Sequence, residues 1–100
     1  MIVEVTQRDC DTGLTRSYTL DSIAKAIKRT VSERFKGNVP QFQVLIPMPH
    51  GVFINGRLFD LPPPVEQFII DQDNNRPVQP LTFEIADLPD DFFEKETSHA

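Results

Sequence analysis

Asp21-Ser22-Ile23-Ala24-Lys25-Ala26-Ile27-Lys28-Arg29-Thr30-Val31-Ser32-Glu33-Arg34-Phe35-Lys36 is the longest periodic stretch in the chain, and its reading decides the fold. Ile23, Ala24, Ile27, Val31 and Phe35 recur at steps of three and four, so at about 100° per residue they share one apolar stripe. This predicts an amphipathic helix over residues 21–36 whose stripe must be covered by a sheet. Asp21 or Ser22 supplies an N-cap oxygen, Gly37-Asn38 a left-handed stop, and Pro40 prevents a restart. The opposite side carries Lys25, Arg29, Ser32 and Lys36, with Lys28 beside them. Five of the ten basic residues lie on this helix. Two readings of that face stay open. It is a solvated surface whose cations suit the helix macrodipole, or it is a partner-binding face built on Lys25, Arg29 and Lys36.

Residues 1–7 alternate, with Val3 and Val5 on one side and Ile2, Glu4 and Thr6 on the other, as a half-buried strand does. Residues 14–20 alternate as well. The turn formers from Arg8 to Gly13 lie between the two runs, which together predict an antiparallel hairpin feeding the helix. Beyond Pro40, residues 41–46 read as a strand with Phe42, Val44 and Ile46 inward, ended by Pro47-Met48-Pro49-His50-Gly51. Asn55-Gly56 favours a type I′ turn and joins residues 52–54 to 57–59 in a second hairpin. Pro62-Pro63-Pro64 reads as a stiff extended spacer, lacking three donors. Residues 65–70 read equally as a short strand or a helical turn, and residues 71–77 as a polar loop. Residues 81–85 form the last alternating strand, and residues 87–100 an acidic tail.

One hundred residues with 39% apolar content suffice for one domain. Residues 1–86 are assigned to that domain and residues 87–100 to the tail. Cys10, the single cysteine, sits in a predicted exposed loop and has no disulfide partner within the chain; a reducing, cytoplasmic setting is expected. No apolar run approaches the roughly 18–20 residues that span a bilayer, and no export signal is legible. Residues 1–59 hold five acids against eight bases; residues 60–100 hold ten acids against two, and the whole carries a formal −5. That imbalance argues against nucleic acid as a partner.

The element order, strand pair, helix, strand, short irregular strands and closing strand, together with the opening Met1-Ile2-Val3-Glu4-Val5, resembles the ubiquitin-like β-grasp superfold. The resemblance implies an α+β fold of ββαββ order, a mixed sheet wrapping one helix, with the first and last strands parallel at its centre. It also implies partner binding through small apolar patches on the outer sheet face. Here the strand phases expose Leu45 and Phe53, with Ile2 beside them if uncovered. Ubiquitin and its conjugated relatives end in Gly-Gly. This chain ends Ser98-His99-Ala100 with no glycine after Gly56, so conjugation is not expected.

No catalytic constellation emerges. Asp11-Thr12-Gly13 matches the tripeptide of aspartic proteases, yet it follows polar Asp9-Cys10 rather than an apolar strand, and turn formation explains it better. Asp9-x-Asp11-x-Gly13 lacks the closing glutamate of a calcium loop, with Leu20 in that place. His50 and His99 stand apart without metal-ligand spacing, so no metal and no cofactor are expected. In the tail, Asp87-Leu88-Pro89-Asp90-Asp91-Phe92-Phe93-Glu94 either docks on its own domain through Leu88 and Phe92 or offers Asp90, Asp91, Phe92, Phe93 and Glu94 to a partner. The expectation is a non-enzymatic protein-binding module, an adaptor or accessory subunit of a larger assembly. The alternative is a small acidic inhibitor or decoy that blocks a basic surface of a host protein.

Overall fold

The computed structural model describes residues 1–12, 21–37 and 39–93. The described residues form a mixed α+β fold with two antiparallel sheets and three helices. In order these are β1 (Ile2–Val5), α1 (Gln7–Thr12), α2 (Ser22–Arg34), β2 (Val44–Met48), β3 (Gly51–Ile54), β4 (Arg57–Asp60), α3 (Pro63–Asp73) and β5 (Leu81–Glu84). No helix among the described residues is long and apolar enough to cross a membrane.

The predicted helix forms α2, and its stripe of Ile23, Ala24, Ile27 and Val31 is buried together with Ala26. It packs against β1 of one sheet and β2 of the other, so a single helix joins the two layers. Asp21 caps it, its Oδ1 accepting from the Ala24 N–H at 2.6 Å. At the other end the left-handed residue is Lys36 (φ 55°), followed by Gly37 (φ 74°). The Lys36 N–H donates to the Glu33 carbonyl and the Gly37 N–H to the Ser32 carbonyl, the paired bonds of a Schellman stop. The stop therefore begins one residue earlier than Gly37-Asn38.

Burial of the Asp21 cap pushes its carboxyl from 3.8 up to about 6; the Ala24 N–H bond opposes this and the charge of Asp73 adds to it. In the folded chain Asp21 then holds its proton at pH values where the unfolded chain has released it. Stability contributed below about pH 4 is therefore lost as pH rises through about 6. Asp21→Asn keeps the capping oxygen without the charge. It is expected to abolish this decline and to be more stable than wild type at pH 7 by about 2–3 kcal/mol. Urea midpoints at pH 4, 5, 6 and 7 check this; parallel curves for the two proteins would contradict it.

β1 pairs with β5, Val3 opposite Phe83 and Val5 opposite Leu81. The Met1 ammonium donates to the Ile85 carbonyl at 2.7 Å, and the Ile85 N–H returns a bond to Met1. The first and last strands are thus neighbours, as the resemblance implies, but they run antiparallel rather than parallel. The second sheet has the order β2-β3-β4. Its β3–β4 turn is the one read from Asn55-Gly56, with φ of 50° and 87°, the left-handed pair a type I′ turn needs. Pro47 lies within β2 rather than ending it. The ladder shifts register between Leu45 and Met48, and proline is tolerated at such irregularities on an edge strand.

Two expectations are corrected. Residues 8–12 of the predicted hairpin turn are helical, because Gln7–Thr12 form α1; Gly13 and residues 14–20, the predicted second strand, lie outside the described residues. A reciprocal capping box starts α1: the Asp9 N–H donates to Thr6 Oγ1, and the Thr6 N–H donates to Asp9 Oδ2. The proline triplet is not a spacer, because Pro62 is the N-cap of α3 and Pro63 and Pro64 fill the first turn, where no N–H is required. Val65, Phe68, Ile69 and Gln72 then form the buried stripe of α3, which runs on through the predicted loop to Asp73. The described part of the tail docks on its own domain, the first of the two readings given for it. Leu88, Phe92 and Phe93 belong to the same buried cluster as α2 and both sheets.

Candidate functional site

The face of the three-stranded sheet turned away from the core is set by register. Leu45 stands opposite Phe53, and Phe53 opposite Leu58, so one apolar row crosses all three strands. Leu45 and Phe53 are half-buried and Leu58 is 53% exposed. Exposed Met48 pairs with Gly51, on the same face. A side chain at Gly51 would bring its Cβ within 3.1 Å of Leu58 Cδ1, so the glycine leaves room for Leu58 to lie across the strand. Leu58 and Met48 extend the patch beyond Leu45 and Phe53. The signal for Leu58 was the two-residue Asn55-Gly56 turn, which pairs Ile54 with Arg57 and therefore Phe53 with Leu58. Ile2 is 59% exposed, but it lies on the other sheet opposite Glu84, outside this row.

The cations of α2 divide into separate roles. The Arg29 guanidinium donates to both oxygens of Asp9 at 2.8 and 2.7 Å, and to the Glu4 carbonyl at 2.8 Å. Asp9 is buried, and the Arg29 hydrogen bond, aided by the Thr6 groups, lowers its carboxyl to about 2 against the cost of burial. Arg29 therefore clamps α1 and the end of β1 onto α2. Lys25 Nζ donates to Thr12 Oγ1 at 2.6 Å, while Lys36 is exposed at the left-handed stop. The three cations do not converge on one point.

The tail is held from the same helix. Arg34 donates to Asp87 Oδ1, to the Leu88 carbonyl and to Asp90 Oδ1, at 3.2, 3.0 and 2.8 Å. Phe93 packs edge-on against Phe35 and tilted against Phe42, with ring centroids 5.2 and 5.1 Å apart, and Phe92 lies against Phe59 and Phe93. Phe92 and Phe93 are buried against their own domain, the first of the two readings of this segment. Asp90 is exposed but turned to Arg34, Asp91 is half-buried, and Glu94 lies outside the described residues.

No family model, curated protein or solved structure matches the chain. The functional reading therefore rests on these surfaces alone.

Among the described residues, the remaining chemistry-bearing side chains do not assemble into a site. No group of three or more His, Cys, Asp or Glu among the described residues is placed to hold a metal ion. Asp11 and Thr12, from the protease-like tripeptide, are exposed in α1, where Asp11 accepts from Gln7 Nε2 and the Thr12 hydroxyl donates to the Arg8 carbonyl. Cys10 is half-buried in α1 rather than exposed in a loop, and burial pushes its thiol up, helped by the charges of Asp11 and Asp9. A raised thiol pKa lowers the thiolate fraction and with it reactivity. His50 is exposed in the β2–β3 turn.

Proposed function

We propose that the chain is a non-catalytic protein-binding module, an adaptor or accessory subunit of a larger assembly, docking through the outer face of the β2-β3-β4 sheet. The observation that carries this is the continuous row Leu45-Phe53-Leu58 with Met48 beside it. Single exposed apolar side chains are ordinary on a soluble protein, whereas a row in register across three strands offers a partner one contiguous apolar strip. Terminal strands paired over a covered helix support a ubiquitin-like ancestry; the antiparallel sense of that pair and the separate second sheet are departures from it. The single, weakly reactive cysteine supports a reducing, cytoplasmic setting.

The acidic-decoy reading has less support. Asp87 and Asp90, two of the carboxylates it would display, are turned to Arg34 of the same chain. The two readings differ in salt dependence, because apolar docking survives screening and charge mimicry does not.

The test is recovery of a partner from the source cell by wild type and by Leu58→Asp over a salt series. Wild type is expected to retain a partner at high salt. Leu58→Asp should weaken that retention by about ten-fold or more, with an unchanged unfolding midpoint, since the side chain is mostly solvated. Equal recovery by both proteins would overturn the sheet-face reading, and recovery that collapses with salt would favour the decoy.

A further inference from the structure

An open groove of about 920 Å³ lies between α2 and the strand residues leading into β2. Lys25, Lys28 and Arg29 line one wall, and Gln41, Gln43 and Asn55 the other. We infer that this groove is a binding site for an extended acidic polypeptide segment.

The charge balance points that way. No carboxylate among the described residues lines the groove. Arg29 is neutralised by Asp9, and Lys25 holds a hydroxyl, not an acid. Lys28 is exposed with its ammonium 5.8 Å from the centre of the Phe42 ring, and no described carboxylate forms an ion pair with it. Among the described residues, Lys25 and Lys28, one helical turn apart at one wall, thus have no carboxylate partner. Side chains three apart on a helix have Cβ atoms roughly 5–6 Å apart. Alternate side chains of an extended peptide, at about 3.4 Å per residue, repeat at a similar distance on one side. Two carboxylates in an x-Glu-x-Glu pattern therefore match Lys25 and Lys28, while the primary amides opposite can both donate to and accept from peptide groups.

Other anions fit less well. Lys25 and Lys28 lie beyond the first three residues of α2, where backbone N–H groups are taken up by the helix, beginning with the Lys25 N–H on the Asp21 carbonyl, so the lysines bring no cradle of main-chain donors for a compact phosphate. A nucleic acid would meet a chain of net charge −5 and, among the described residues of the groove, two lysines without a carboxylate partner. The inference stands apart from the sheet-face proposal, since the groove is built by α2 and the opposite face of β2.

The experiment is a titration of the isotope-labelled full chain with a hexaglutamate peptide at low salt, followed by amide chemical shifts. Pyrophosphate and a hexathymidylate serve as comparators. Shifts are expected at Lys28, Gln41, Gln43 and Asn55. Lys28→Glu should weaken binding by about ten-fold, and Lys36→Glu, on the same helix but outside the groove, by less than about two-fold. Far-UV spectra establish that both variants fold, and Lys28→Gln replaces Lys28→Glu if the latter does not. Equal weakening by the two variants would reduce the effect to diffuse attraction and overturn the proposal. So would shifts mapping elsewhere, tighter binding of either comparator at the same residues, or no shift at millimolar peptide.

Discussion

Phe92→Ala is expected to destabilise the chain by about 3–5 kcal/mol, the range for emptying a fully packed aromatic site. Phe92 is 0% exposed and touches three groups that cannot easily collapse into its place. Phe59 of β4 lies 6.3 Å from it, Phe93 5.1 Å, and the Arg57 guanidinium 5.6 Å above its ring. Those neighbours belong to the sheet and the tail, and Phe93 continues the aromatic cluster to Phe35 beside α2. Losing the ring therefore loosens the join between α2 and the second sheet as well as the tail. Equilibrium urea unfolding reads the loss. A change below about 1 kcal/mol would mean that the tail is not part of the cooperative unit.

The second large effect is expected at Arg29. Arg29→Met keeps most of the aliphatic stem and removes the charge, leaving Asp9 buried with only the Thr6 groups as partners. Orphaning a buried carboxylate costs about 3–5 kcal/mol in fully enclosed pairs. The Arg29 side chain is 40% exposed and partly screened, so about 2–4 kcal/mol is expected here. The effect carries a pH signature. Asp9 has a folded pKa depressed from 3.8 to about 2, so the stabilisation is present above about pH 4 and is lost as pH falls through about 2. Wild type and Arg29→Met should therefore differ most near neutral pH and converge near pH 2. A constant gap across that range would show that Arg29 acts through packing of its stem, not through Asp9.

Sheet-face docking and groove binding make opposite demands on salt, which gives the two surfaces separable signatures. Affinity at the Leu45-Phe53-Leu58 row should persist as ionic strength rises, whereas binding beside Lys25 and Lys28 should fade within a Debye length of about 8–10 Å. A partner presenting an apolar patch next to an acidic segment would use both.

Much of the architecture was readable in the residues because it follows from local periods. The stripe of α2, the inward phase of Val3, Val5, Val44 and Ile54, and the Asn55-Gly56 turn depend on neighbours within a few positions. Of the other two helices, α1 reads as a turn and α3 as either a short strand or a helical turn. Thr6-x-x-Asp9 is a capping-box pattern that was outweighed by the turn formers around it. Val65, Phe68, Ile69 and Gln72 keep a helical period directly after three prolines, a combination that suits a helix start as well as a spacer. For the candidate surfaces, Leu45 and Phe53 came from strand phase alone, while Leu58 needed the register carried across the hairpin.

The amino-acid order by itself determined the amphipathic helix, the alternating strands and the tight turn, since each is a matter of backbone sterics and short-range spacing. Only the tertiary structure decided that β1 and β5 pair antiparallel, that Arg29 belongs to Asp9 twenty positions away, and that residues 87–93 are drawn in by Arg34 and sealed by Phe92 and Phe93. Those choices rest on which distant groups share a dehydrated contact, and burial makes such contacts decisive by removing water as the competing partner.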